Sequence, residues 1–285
     1  MPNKYLRIFD RPFAFSMGPQ RAGTSWLDRY LRTRGDICLP SEVKEVFYFD
    51  RDYERGIAHY TAHFRPRPEY RLIMEISTTS FDHPDAPARV HETLGPDIKL
   101  LCPLRHPVLR SYSLYLHYKR YGLVSGTLEE ACAQNPQILE SSYYAKNLRR
   151  WLEYYPLSKI HFIYQEQLEA DQDKYIHQVC AALDIPYMPA PEDVKERYNV
   201  TTYSNSGVVA TLAQHIADWL RQRRIYFVIN FAKKLGLKEL IFGKENPDAK
   251  RGGIPEAEHK WLTERLLPEV KKLEELLGRE ITEWK

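Results

Sequence analysis

The chain predicts an α/β fold, a mainly parallel sheet flanked by helices with a mostly helical C-terminal third, and three observations carry that reading. Short apolar runs of strand length recur through the first two thirds, each bounded by Gly, Pro or a polar cluster. Stretches of helical periodicity separate them, and strands that alternate with helices build parallel sheets. From about Tyr198 onward only amphipathic helical patterns remain. The expected organisation is one domain over residues 1–285, with an α/β core at 1–197 and a helical part of the same domain at 198–285.

The first strand spans 12–17 (PFAFSM), aromatic and stopped by Gly18. A helix follows over 24–34, with Trp26, Leu27 and Leu31 on one face and Gly35 closing it. The second strand is 70–75 (YRLIME), with a helix at Ala86–Leu94 after it. The third, 98–104 (IKLLCPL), feeds a helix at 109–118, and another helix covers 142–155. The fourth strand, 159–164 (KIHFIY), leads to a helix at 171–183 that stops before Pro186. Amphipathic stretches at 208–234 and Glu256–Leu277 complete the chain.

Composition narrows the function. The 285 residues hold 41 Lys and Arg against 38 Asp and Glu, a formal charge of +3, too balanced for non-specific nucleic-acid binding. A hydrophobic share of 43% and a charged share of 28% are globular, which excludes wholesale disorder. Cys38, Cys102, Cys132 and Cys180 show neither zinc-ligand spacing nor a disulfide framework, so a reducing, cytoplasmic setting is expected. Residues 1–11 carry no apolar targeting core, and the longest apolar cluster, 225–231, is too short to span a membrane. Arg221, Arg223 and Arg224 read as a solvated helix face. The 20 tyrosines either fill the core or line a sugar or aromatic pocket.

In open α/β sheets ligands gather at the carboxyl ends of the strands, so the loops after the strands are the place to look. Gly18-Pro19-Gln20-Arg21-Ala22-Gly23-Thr24-Ser25 lies between a strand and a helix. Its two glycines permit a tight turn of converging N–H groups, and the helix N-terminus adds positive potential. The GxxxxG spacing makes the sheet P-loop-type, but Thr24 and Ser25 stand where a Walker loop has Lys and Ser/Thr. The cation sits inside the loop, at Arg21. After the third strand, Arg105, Arg110 and Ser113 in LRHPVLRSYS offer a second anion site, because guanidinium groups hold phosphate bidentately. Alternatively Arg110 packs against the surface and Arg105 acts alone. Two such loops suit one ligand with two separated phosphates.

These segments resemble the sulfotransferases that use 3′-phosphoadenylyl sulfate (PAPS). GPQRAGTSW is similar to their 5′-phosphosulfate loop, GxxKxGTT, and LRHPVLRSYS to their 3′-phosphate loop, RDPxxRxxS. Lys44-Glu45-Val46-Phe47-Tyr48-Phe49-Asp50, with Gly56 and Tyr60, resembles the KE-x-x-FFD…G…Y segment of the heparan-sulfate type and its bacterial relatives. Residues 162–168 resemble the strand that ends in an E-x-L turn, and Leu276, Leu277, Gly278, Arg279 and Trp284 the usual bacterial C-terminus.

The resemblance implies transfer of the sulfuryl group from PAPS to a hydroxyl or amine of a small-molecule or carbohydrate acceptor. It releases adenosine 3′,5′-bisphosphate, with no metal expected. Gln20, Arg21, Ala22, Gly23, Thr24, Ser25 and Trp26 would hold the phosphosulfate, and Arg105 and Ser113 the 3′-phosphate. Arg21 replaces the family's Lys and, unable to lose its proton, neutralises charge without acting as an acid. Glu45 matches the heparan-type base, with Lys44 placed to orient sulfate or tune it. Alternatively Glu45 only pairs with Arg21 or Arg105, or His59 or His63 acts as the base. Glu75, His59 and Tyr112 are further candidates on the acceptor side. Ile76 stands where polysaccharide enzymes have an acceptor-contacting Lys, which turns expectation from a heavily sulfated polymer to a neutral sugar or aromatic acceptor. A magnesium-dependent P-loop kinase and a non-catalytic nucleotide-binding relative are the competing readings.

Overall fold

A computed structural model describes residues 9–195 and 253–285. Its strands are β1 (Phe13–Ser16), β2 (Ile37–Cys38), β3 (Leu72–Ile76), β4 (Lys99–Leu104) and β5 (Ile160–Tyr164). They form one parallel sheet in the order β2–β3–β1–β4–β5. The four strands read from the sequence stand within two residues of their expected ends. The fifth, β2, is two residues long and shows no run or alternation to detect. Among the described residues the helices are α1 (Thr24–Arg32), α2 (Ile57–Thr61), α3 (Ala86–Leu94), α4 (Pro107–Arg120), α5 (Leu128–Gln134), α6 (Gln137–Glu140), α7 (Tyr144–Leu152), α8 (Gln165–Ala170), α9 (Gln172–Leu183), α10 (Glu192–Lys195) and α11 (Glu256–Leu277). The stretch 208–234, the run 225–231 and the Arg221, Arg223, Arg224 cluster lie outside the described residues.

The described residues group into two compact units. One holds 9–107, 141–195 and 266–285 with the whole sheet, and the other holds 108–140 and 253–265. In the first, period-two alternation sorts side chains to the two faces of the sheet. Phe13 and Phe15 of β1 and Leu100 and Cys102 of β4 join a cluster with Trp151 and Leu148. Ala14 and Leu101 face the opposite way, against Leu27 and Leu31 of α1 and Val179 of α9. Trp151 is fully buried, stacks on Phe15 at 6.0 Å and donates its indole N–H to the Phe81 carbonyl at 3.1 Å. Several tyrosines, among them Tyr30, Tyr60, Tyr144, Tyr155, Tyr164 and Tyr175, are core residues. The four cysteines are buried and free. No helix among the described residues is long and apolar enough to cross a membrane.

The chain lays β2 and β3 on one side of β1 and then crosses to place β4 and β5 on the other. That reversal makes β1/β4 the switch point, the position in such sheets where ligands bind. Met17 N–H still bonds the Leu101 carbonyl at 2.9 Å, while Pro103 has no N–H to continue the ladder. Gly18 fills the gap so closely that a Cβ would lie 2.4 Å from the Pro103 carbonyl oxygen. Backbone cannot retreat as a side-chain tip can, so glycine is required there.

Candidate active site

The loop after β1 enters α1 through Gly23, whose φ of 81° is left-handed and favours glycine. The first described helical bonds run from Trp26 and Leu27 N–H to the Gly23 carbonyl at 3.1 and 3.2 Å. Helix geometry leaves the amides before them without an intrahelical acceptor, and the helix dipole adds positive potential. Arg21 also holds a left-handed φ, 70°, which costs a non-glycine residue about 1 kcal/mol or more and survives where the fold over-determines it. Gln20, Arg21, Gly23 and Ser25 are half-buried along this loop, while Ala22 and Thr24 are buried. Trp26 lies on the buried face of α1. Its ring is buried, stacks on Tyr30 and donates to the Val194 carbonyl at 2.9 Å, and its amide is spent on Gly23. The apolar face of α1 took this residue.

Lys44 and Glu45 stand at the same helix end. Lys44 Nζ donates to Thr24 Oγ1 at 3.1 Å and to Glu45 Oε1 at 3.0 Å. Thr78, just past β3, donates to Glu45 Oε2 at 2.8 Å. Glu45 is thus oriented by Lys44 and Thr78, and its side chain stays 18% exposed, so a hydroxyl can reach it. The backbone then turns sharply: Phe47 holds a φ of 58°, and its carbonyl accepts from both Arg51 and Asp52 N–H. That turn buries Tyr48 and Phe49 and carries Asp50 inward. His59 lies on α2 beside Asp52 (4.0 Å) and the His63 ring (5.2 Å). Its neighbour Tyr60 makes the link to the strands, donating to Glu75 Oε2 at 2.8 Å.

Glu75 is fully buried in β3, and its Oε1 has no hydrogen-bond partner. Burial pushes its pKa up to about 8, with Asp50 and Glu45 adding repulsion and the Tyr60 hydroxyl pulling the other way. Burial likewise raises Asp50, against the Arg51 guanidinium 3.3 Å away. A consequence for stability follows. The unfolded chain ionises Glu75 near 4.5, whereas the fold keeps its proton up to about 8. Between those values the native state binds more protons, so stability falls as pH rises through the window. Urea midpoints of the wild type are expected to decline across it. Glu75→Gln should flatten most of the decline, with a residue left by Asp50, whereas parallel slopes would refute the assignment. Ile76, next in the strand, is fully buried against the α1 side of the sheet.

Arg105 follows the last residue of β4, across the switch point from the first loop. Three contacts hold its backbone. The Tyr144 hydroxyl donates to the Arg105 carbonyl at 2.8 Å, the His106 N–H donates to Glu166 Oε1 at 2.8 Å, and the Trp284 ring meets the His106 ring edge-on at 5.9 Å. Gly278, with a φ of 67° beyond α11, reverses the chain and delivers Trp284. Arg279 secures that return, donating to Tyr164 Oη at 2.9 Å. In the second unit Arg110 is buried rather than at the surface. Its Nη2 donates to the Ile138 carbonyl at 2.6 Å and to Ser111 Oγ at 3.1 Å, a structural use of the cation. Ser113 is buried on α4, and Tyr112 packs its ring 5.8 Å from Tyr115.

The structure therefore brings Thr24, Lys44, Glu45 and Thr78 into one hydrogen-bonded set, with Glu75 and Asp50 behind it. Thr78, Tyr144, Glu166 and Trp284 received no role from the sequence. Their parts rest on tertiary contacts, though three of them lay inside segments with motif character. Among the described residues no cluster of His, Cys, Asp and Glu is placed to hold a metal ion.

Residues 13–206 match the sulfotransferase domain family. Human heparan sulfate glucosamine 3-O-sulfotransferase 6 is 33% identical over 173 residues, covering 56% of this chain and 48% of the relative. The bifunctional heparan sulfate N-deacetylase/N-sulfotransferase of Drosophila melanogaster is 31% identical over 184 residues, covering 53% of this chain and 18% of the relative. The matches thus span half or less of these relatives' length. A sulfotransferase from Alicyclobacillus acidocaldarius shares the fold, with a TM-score of 0.66 and 21% identity over 97% of this chain and 99% of that one.

Proposed function

The chain belongs to the sulfotransferase domain family, and on that premise we propose that it transfers the sulfuryl group of PAPS to a hydroxyl or amine of a carbohydrate or small-molecule acceptor. The observation that carries this reading is the set Thr24–Lys44–Glu45–Thr78, a general-base carboxylate hydrogen-bonded through one lysine to the end of an anion-binding loop.

Like phosphoryl transfer, the reaction needs positioning and neutralisation of developing charge more than covalent chemistry. The loop from Gln20 to Ser25 and the N-terminus of α1 supply N–H donors for the phosphosulfate, and Arg21 adds a permanent positive charge. Arg105 takes the 3′-phosphate. Glu45 accepts the acceptor's proton, worth roughly 10²–10⁴-fold in rate for a well-placed base. Thr78 and Lys44 keep the carboxylate in one orientation, so little freedom is lost as the acceptor arrives.

The curated relatives are named for heparan sulfate, a carbohydrate. In this chain Ile76 stands at the position expected of an acceptor-binding lysine, and the nearby part-exposed carboxylate is Glu45. An uncharged sugar or phenol, or an amine, fits such a site better than a polyanion. The test is release of adenosine 3′,5′-bisphosphate from PAPS across a panel of neutral sugars, phenols, amines and sulfated oligosaccharides. Release with a neutral or amine acceptor supports the reading, and absence of release with every acceptor would sink it.

A further inference from the structure

Arg21 leaves a gap in the chemistry. The departing 5′-phosphate oxygen of the donor gathers charge as the sulfur leaves it, and a guanidinium neutralises that charge without giving up a proton. The side chain that can give one is already at the loop. Lys44 Nζ sits 3.1 Å from Thr24 Oγ1, on the first residue of α1, and 3.0 Å from Glu45 Oε1. It touches the donor loop with one hydrogen bond and the base with another, and its side chain remains 25% exposed.

We propose that Lys44 and Glu45 act as a proton-passing pair, with Lys44 the acid for the leaving phosphate in place of a loop lysine. The inference rests on the sulfotransferase reading of the site. The bond between sulfur and the bridging phosphate oxygen breaks as the bond between sulfur and the acceptor oxygen or nitrogen forms. Glu45 receives the acceptor's proton. Lys44 releases one of its three protons to the phosphate oxygen that is departing. The proton on Glu45 then crosses the existing 3.0 Å hydrogen bond to Lys44. Both groups return to their starting charge, and the net change is one proton moved from acceptor to phosphate with no other reactant.

The geometry separates the two oxygens of Glu45. Oε1 faces Lys44 and Oε2 accepts from Thr78. Each carboxylate oxygen has a second lone pair, so the acceptor hydroxyl can approach without displacing either partner. This arrangement also explains why an arginine is tolerated at position 21. Charge neutralisation and proton donation, which one loop lysine can combine, are divided here between Arg21 and Lys44.

The test compares wild type, Lys44→Arg and Lys44→Met in two measurements. Titration with adenosine 3′,5′-bisphosphate reports the donor site, and release of that product from PAPS, with the acceptor panel or with water as acceptor, reports the chemistry. Lys44→Arg keeps the charge and loses the transferable proton. It is expected to bind the product within about threefold of wild type and to turn over at least about 100-fold more slowly. Lys44→Met, shorter in reach and uncharged, should be slowed at least as much. Wild-type turnover by Lys44→Arg would overturn the pair while leaving the sulfotransferase reading intact. Wild type that binds no adenosine 3′,5′-bisphosphate and releases none from PAPS would remove that reading, and the pair with it.

Discussion

Glu45→Gln is expected to bind adenosine 3′,5′-bisphosphate within about threefold of wild type and to turn over at least about 100-fold more slowly. The amide is nearly the size and shape of the carboxylate, so its oxygen can still accept from Lys44 or from Thr78. What it cannot do is take a proton from the acceptor. The donor loop is built from β1 and α1 and does not depend on the carboxylate, so the product-binding side should register little change. A drop in k cat with near-constant product affinity identifies a base. Equal losses in both would instead assign Glu45 a structural part in the loop through Lys44 and Thr24. Survival of turnover would remove it from the chemistry and return attention to Glu75 or His59.

Arg105→Ala should lose the discrimination between ligands with and without a 3′-phosphate. A hydrogen bond from a charged group is worth about 1.5–3 kcal/mol. Affinity for adenosine 3′,5′-bisphosphate should therefore fall roughly 10–150-fold while affinity for ADP barely moves. The backbone of this loop is held by the Tyr144 hydroxyl and the Glu166 carboxylate through main-chain hydrogen bonds, and the Arg105 charge also favours the ionised Glu166. The two main-chain bonds do not use the guanidinium, so removing the side chain leaves them in place. Competition binding of the two nucleotides measures the ratio directly. A variant that keeps the wild-type ratio would place the 3′-phosphate elsewhere.

Much of the frame behind these expectations was legible in residue patterns, and the reasons are physical. Strands β1, β3, β4 and β5 are apolar runs cut off by Gly, Pro or polar residues, and α1 carries its stripe at helical spacing. Strand β2 is too short for a period to register. The glycine-bounded loop after β1 was legible because glycine spacing and a helix start are local features. The bonds that orient Glu45 were legible only in part. Lys44 adjoins it in sequence, whereas Thr78 lies 33 residues away, just past β3, and meets it because β2, the strand before Glu45, pairs with β3. Glu166 reaches His106 across 60 residues by the same logic of neighbouring strands, β4 and β5. Trp26 belongs both to the loop motif and to the helix's apolar face, and its ring is buried on that face. Arg110 likewise looked available, and its Nη2 donates to the Ile138 carbonyl inside the second unit.

The claim on which everything else depends is that the loops at the ends of β1 and β4 bind one nucleotide with two separated phosphate groups. Calorimetric titration of the wild-type chain with adenosine 3′,5′-bisphosphate, beside ADP and Mg-ATP, tests it most directly. The account predicts tight binding that requires the 3′-phosphate and is indifferent to magnesium. Binding of Mg-ATP alone would contradict it and favour a magnesium-dependent kinase built on the same sheet.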